Sequence, residues 1–395
     1  MTQSPLAPTV DDIAALMPPA SATKAASPPR WRRALRILAS FVGGGLGGFA
    51  LAMVGVPLFD ALPAGAGLAL LAGFFLSLWP HIVLHEGGHA LAGLSRGMRA
   101  IAFGVGPFRL ERGAAGRWRW RRGGGVRGIG GFAALVPDGA RGQSRLDQVI
   151  YLLGGPTANL VVAVCLLAAA SWLPMPVHLA VACLGAALAA ALMGLWNLVP
   201  LHMSGWRSDG RVLLDLARGT PDATLQLQIN QVMALSMAGV RPRDWPDAAM
   251  PQVPTTIASS GLQDSGRMLR LSRAIDRRDA AAARPEAIAL TAAFSSAAPA
   301  FQSAIAVALA SHAALLVGDR ALLSAWRRRC EGGLMDLSPY RAWLDAELAR
   351  LDGDEAAVAA HMQRARACVD RIPDAASQLV LVERLDALHR SDATR

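Results

Sequence analysis

Histidine, glutamate and histidine occupy positions 85, 86 and 89, in the run Pro80-His81-Ile82-Val83-Leu84-His85-Glu86-Gly87-Gly88-His89. The spacing is HExxH. On a helix, residues i and i+4 share a face, so His85 and His89 can turn two imidazoles toward one metal ion. Glu86 follows the first of them, where a carboxylate can hold a metal-activated water and take its proton. Five residues alone often match by chance. The surroundings add weight: the run closes a long apolar stretch, where ionisable side chains are costly and functional by default.

A catalytic zinc takes three protein ligands and keeps one position open for water. The third ligand must come from elsewhere in the chain, and a carboxylate from a later helix is the usual supplement. Asp209 and Asp215 both follow the last apolar stretch. Asp209 lies nearer to it, in Ser208-Asp209-Gly210, after the helix-breaking run Asn197-Leu198-Val199-Pro200. That break lets the chain fold back and deliver the Asp209 carboxylate to the ion. Asp209 can otherwise cap a helix starting at Arg211, and Asp215 reads as a surface charge on that helix. His81 falls on the same stripe as His85, but three successive i+4 positions of a straight helix cannot converge on one tetrahedral ion. It reads as a polar lining residue. Asn159 carries an amide in apolar surroundings, where it can donate to a substrate carbonyl or a developing oxyanion. A structural hydrogen bond at a helix start is the other reading.

The chemistry open to this set is hydrolysis of a peptide bond, with zinc as the one cofactor per chain. Glu86 acts as general base and then hands the proton to the leaving amine. Two rivals share the ligands. One is a non-proteolytic zinc-binding membrane scaffold. The other is a zinc-dependent hydrolase of a non-peptide membrane substrate.

The elements that must position these residues are mostly membrane helices. Of 395 residues 53% are hydrophobic and only 17% charged, well below the usual quarter for a soluble enzyme. The net charge of +10 is mostly arginine beside apolar segments. Basic cytoplasmic flanks explain it better than nucleic-acid binding. The four cysteines form no CxxC or metal-like cluster, so a disulfide framework is excluded as an organising principle. Residues 1–36 read as a disordered arm closed by a basic collar from Lys24 to Arg36. Residues 37–210 read as a membrane core of about four spans: 37–59, 68–94, 148–172 and 179–199. Each is long enough for a bilayer, at about 20 residues. Between the second and third, 100–110 and 117–121 alternate like short strands. Residues 128–137 are apolar but too short to cross, and read as a hairpin or re-entrant loop beside the site. Residues 211–395 read as a soluble all-α domain of paired helices, tetratricopeptide-like in pattern but without a strict 34-residue period. The fold class is therefore mostly α, with a small β region. The collar and the positive-inside tendency place both termini in the cytoplasm of a multi-pass protein of the inner or plasma membrane.

Four motifs in this order resemble the site-2 protease family of intramembrane zinc metalloproteases. They are HExxH within a span, GGFxxxxP at 130–137, GGPxAN at 154–159, and NLVP followed by SDG at 197–210. The resemblance covers about 65–215. It implies that His85, His89 and Asp209 bind the metal and that Glu86 is the base. It implies that Asn159 contacts substrate, and that Gly130, Gly131 and Phe132 belong to a loop and strand receiving an unwound substrate helix. The partners implied are a transmembrane protein substrate and the lipid bilayer. By its position, the helical tail is expected to take a regulatory protein. This chain departs from the family's Leu-Asp-Gly-Gly with Ser208-Asp209-Gly210-Arg211, and it lacks a PDZ-like insertion between the second and third spans.

Overall fold

A computed structural model describes residues 10–19, 63–113, 115–122, 130–138, 143–203, 206–253 and 260–393. The expected span at 37–59 and the basic collar lie outside these residues. The described residues fall into two compact units. One comprises 63–85 and 155–197; the other holds 10–19, 86–154 and 198–393.

Three of the expected spans are helices. α2 (Ala66–Ser95) follows α1 (Val10–Leu16) and precedes α3 (Arg145–Trp172) and α4 (Val177–Leu198). At 1.5 Å per residue the 30 residues of α2 reach about 45 Å, more than the roughly 30 Å of a hydrocarbon core. Their outward faces are apolar: Leu76 is 78% exposed, Leu91 73% and Val164 66%. In water such faces would be a liability; in lipid they are the normal condition. His81 is buried and its Nε2 lies 3.0 Å from the Ala186 carbonyl, so it joins α2 to α4 as a lining residue.

A fourth described helix, Pro299–Val317, is also long and apolar enough to cross a bilayer. Its most apolar window is 61% buried, against 6% for α2. Its Ile305, Ala306 and Ala310 are fully covered by protein. An apolar helix covered mostly by protein belongs to a domain core, and this one lies in the helical domain below.

Between α2 and α3 lies an antiparallel sheet of β1 (Met98–Val105), β2 (Phe108–Arg112), β3 (Trp118–Arg122) and β4 (Gly131–Pro137), in the order β3-β2-β1-β4. The expected hairpin or re-entrant loop at 128–137 is thus corrected to a strand over 131–137, paired along β1 from Met98–Pro137 to Val105–Gly131. The physical reason is side-chain fit. Phe132 stands opposite Gly104, and a Cβ on Gly104 would come within 2.5 Å of the Phe132 ring. The ring therefore covers the bare glycine backbone, and Pro137, which has no N–H, ends the ladder. β2 and β3 lean on the helical domain. Buried Arg109 donates from Nη1 to the Gly333 and Leu334 carbonyls at 2.7 and 3.0 Å. The Asp336 N–H donates to Glu111 at 3.2 Å, and Arg119 pairs with Asp370.

After α4 come the short strands β5 (His202–Met203) and β6 (Trp206–Arg207), then α5 (Asp209–Arg218) and α6 (Pro221–Met237). The helical domain continues with α7 (Ser260–Asp276), α8 (Ala280–Ala293) and α9 (Pro299–His312), which runs on as a π turn, Ala313–Val317. α10 (Arg320–Arg327), α11 (Ser338–Asp352), α12 (Glu355–Arg366) and α13 (Ala375–Ala393) complete it. Three helical hairpins, α7–α8, α9–α10 and α11–α12, share one turn. A residue in the left-handed region (Arg278, Gly318, Gly353) precedes an Asp that caps the next helix (Asp279, Asp319, Asp354). Each Asp accepts from the N–H three residues on, at 2.7 to 2.9 Å. The pairs are therefore a structural repeat with unequal steps. Their shared core includes Trp326, Trp343, Leu290 and Leu309. α1 belongs to the same core. Leu16 is buried, and Trp326 donates to its carbonyl at 2.8 Å. The disordered reading of the N-terminal arm is corrected there: a helix of about two turns docks its Leu16 in a hydrophobic socket.

Candidate metal centre

His85 and His89 sit one turn apart on α2, both buried, with Glu86 half-buried beside His85. The helix alone fixes their common face. Two glycines do different work between them. Gly87 faces open space, while Gly88 lies against α3: a Cβ on Gly154 would come 2.4 Å from the Gly88 carbonyl. Only a residue without a side chain permits that approach. It brings the start of α3, and with it Tyr151, against His89.

Tyr151 then serves two neighbours. Its carbonyl lies 2.8 Å from His89 Nδ1, and its hydroxyl donates to the Ala133 carbonyl of β4 at 2.9 Å. A backbone carbonyl can only accept, so His89 carries its proton on Nδ1 and keeps a lone pair on Nε2. That is the tautomer a metal ligand needs, set by an outer hydrogen bond.

Asp209 reaches the same nitrogen. Its Oδ2 is 3.4 Å from His89 Nε2. The Ser208-Asp209-Gly210 turn explains how. Ser208, not Asp209, caps α5: its hydroxyl accepts from Arg211 N–H at 3.2 Å. The same hydroxyl accepts from Leu201 N–H at 2.9 Å and donates to the Val199 carbonyl at 2.6 Å. One serine thus closes the loop from the end of α4 to the start of α5. Gly210 lets the two ends meet: a Cβ there would lie 1.9 Å from the Leu198 carbonyl. Asp209, released from capping, stands in the first turn of α5, where the helix dipole favours an anion.

Asp215 is corrected from a surface charge to a buried one, 2% exposed. Arg207 Nη1 lies 3.3 Å from its carboxylate and Arg211 Nη2 3.2 Å; Arg207 also meets Asp222 at 3.5 Å. Strand β6 delivers Arg207 to both acids, and the cluster anchors the helix that carries Asp209. Asn197, at the end of α4, donates to the Met193 carbonyl one turn back at 3.0 Å.

Asn159 is fully buried, with Nδ2 3.3 Å from His85 Nδ1 and Oδ1 without a partner. The two ends of a carboxamide exchange by a flip. Turned over, Oδ1 accepts from Nδ1–H of His85, the orphaned oxygen gains its bond, and His85 Nε2 keeps its lone pair. Gly130 and Gly131 stand at the head of β4, where Gly106 N–H donates to the Gly130 carbonyl at 3.0 Å.

One ligand atom from each of His85, His89 and Asp209 lies within 4.8 Å of the others. Bonds of about 2.0–2.1 Å at the tetrahedral angle put two donors on one zinc about 3.3 Å apart. The 3.4 Å between His89 and Asp209 matches that edge. Two imidazoles and a carboxylate form a zinc donor set that leaves a fourth position open. The residues fit the ion. Sequence reasoning missed Tyr151 and the second role of Ser208. A signal for the first existed: the chain has only two tyrosines, and one lies three residues before the GGPxAN run.

The family model described as Peptidase family M50 matches residues 73–318. No curated protein and no solved structure matches the chain. The matched segment covers more than half of the chain. It begins inside α2 and takes in the two histidines, the sheet, α3, α4 and Asp209. This chain, a membrane protein by its apolar helices, belongs to peptidase family M50, the site-2 protease family.

Proposed function

We propose that this protein is an intramembrane zinc endopeptidase that cuts peptide bonds of transmembrane substrates in regulatory proteolysis. The observation that carries the reading is the convergence of His85, His89 and Asp209 at metal-binding distance, with Glu86 next to the first ligand. Bound there, zinc supplies a Lewis acid that polarises a carbonyl and acidifies water. His85 and His89 present Nε2, held in that tautomer by Asn159 and Tyr151. Glu86 orients the attacking water by accepting its hydrogen bond, takes its proton and passes it to the departing amine. A peptide bond inside a helix is shielded until that helix unwinds. β4 hydrogen-bonds to one strand of its sheet, β1, and Gly130, Gly131 and Phe132 at its head would meet the unwound segment by strand addition.

Basic residues gather at the sheet-side ends of the apolar helices: Arg96 and Arg99 after α2, Arg145 opening α3, Arg207 and Arg211 after α4. Arg96 pairs with Asp147 at 2.7 Å. The opposite turn, 173–176, carries no charge. This asymmetry supports a cytoplasmic sheet and helical domain. Cleavage of a single-span substrate in reconstituted vesicles tests the reading. A zinc chelator is expected to stop it and added zinc to restore it; cleavage that persists in a protein stripped of metal would refute the metal's part.

Asn159 reads here as the positioning partner of His85. Asn159→Leu is expected to weaken zinc binding about 10- to 100-fold, the usual effect of losing an outer hydrogen bond to a ligand. Competition with a chromogenic chelator reads this. Unchanged affinity would return Asn159 to a role with substrate alone.

A further inference from the structure

The helical domain contains a groove whose chemistry the catalytic reading does not use. Two adjoining cavities of about 180 Å³ each share Ile275, Val380 and Arg384. One is mostly apolar, with Met268 and Val307 on its walls. The other is bordered by Arg241, Arg243 and Arg278 beside Asp276 and Glu383. Arg384 lies where they meet. Its guanidinium stacks over the Trp343 ring, 4.8 Å from the centroid. Among the described residues no carboxylate is within ion-pair distance of it. The nearest acids are engaged elsewhere, Asp276 with Arg241 at 2.7 Å and Glu347 with Arg350 at 2.9 Å. Burial lowers the guanidinium to about 10, the sign of a cation short of compensating charge.

Arg384 is half-buried over an aromatic ring with no carboxylate of its own among the described residues, so it has capacity for an anion that the domain does not supply. The π turn Ala313–Val317 forms one rim, and Arg278 donates to its Leu315 carbonyl at 3.0 Å. π turns concentrate at functional sites.

We propose that this groove binds an acidic peptide segment, with one carboxylate on Arg384 and a neighbouring apolar side chain in the cavity between Met268, Ile275, Val307 and Val380. The planar guanidinium suits a carboxylate held by two hydrogen bonds. The excess of arginine over acid along the second cavity favours an anionic chain. The site stands whether or not the zinc chemistry does.

Full-length protein in detergent, titrated with fluorescent hexapeptides, tests it. Each peptide carries one Glu with Leu, Ile or Phe two residues away, and each has a twin with Gln for Glu. The best acidic peptide is expected to bind at least ten times tighter than its twin. Arg384→Gln is expected to abolish that preference, and Ala308→Phe, which fills the cavity wall, to weaken binding of both. Equal binding of acidic and neutral peptides would overturn the proposal. So would a preference that survives Arg384→Gln, or octanoate displacing the peptide at equal concentration. The peptide comparison does not depend on any variant folding.

Discussion

Glu86→Gln is expected to lower cleavage of a transmembrane substrate by about 10²–10⁴-fold, the range of general acid–base catalysis, while the protein keeps one zinc per chain. The argument rests on separation of roles. Glu86 is adjacent to a ligand but is not among the three residues whose donor atoms converge. Glutamine keeps the length and hydrogen-bonding capacity of the side chain and removes only its ability to take a proton. Metal content read by mass spectrometry, beside substrate turnover, separates base from ligand. Zinc lost together with activity would make Glu86 a ligand, and unchanged turnover would remove it from the chemistry.

The second large effect concerns Asp209. Asp209→Ala is expected to strip zinc from purified protein and with it all cleavage, because two imidazoles on one helix turn cannot complete the site. Gly210→Val should act from next door. A Cβ at 1.9 Å from the Leu198 carbonyl has no room, so the turn that carries Asp209 must move. Its expected signature is zinc loss with Asp209 intact. Asp215→Asn is expected to act differently. Its carboxylate is buried between Arg207 and Arg211, and removing the charge leaves Arg207 with Asp222 alone and takes the carboxylate from half-exposed Arg211, a stability cost of about 1–3 kcal/mol. A lower unfolding temperature with zinc still present at permissive temperature distinguishes it from Asp209→Ala. Zinc retained at full occupancy in Asp209→Ala would move the third ligand elsewhere.

What the sequence disclosed and what it hid follow from the range of the interactions. HExxH is legible because an α-helix converts a spacing of four into a shared face. α2, α3 and α4 are legible because lipid demands long uncharged runs, and their ends fell within three residues of expectation. The four-motif order pointed to the family that the match over 73–318 bears out. β4 was harder. Its partner is β1, some thirty residues back, and the bare backbone of Gly104 under Phe132 decides the pairing rather than any local period. Asp215 looked like a surface charge because nothing near it in sequence announces that the pairing of β6 with β5 will bring Arg207 to it. Tyr151 acts on His89 through a main-chain carbonyl, which side-chain identity does not encode. The repeated hairpin turn, a left-handed residue followed by Asp, was present in the chain at 278–279, 318–319 and 353–354. It escapes a search for a fixed 34-residue period because its steps are unequal.

The most direct test is to map the cut. A single-span substrate and this protein are reconstituted together in zinc-containing vesicles, and the products are sequenced by mass spectrometry. The expected result is one or two new termini inside the substrate's apolar span, absent with Glu86→Gln although that protein retains its zinc. Cleavage confined to residues outside the span, or cleavage identical in the Glu86→Gln protein, would contradict the assignment of His85, His89, Asp209 and Glu86 to an intramembrane peptidase centre.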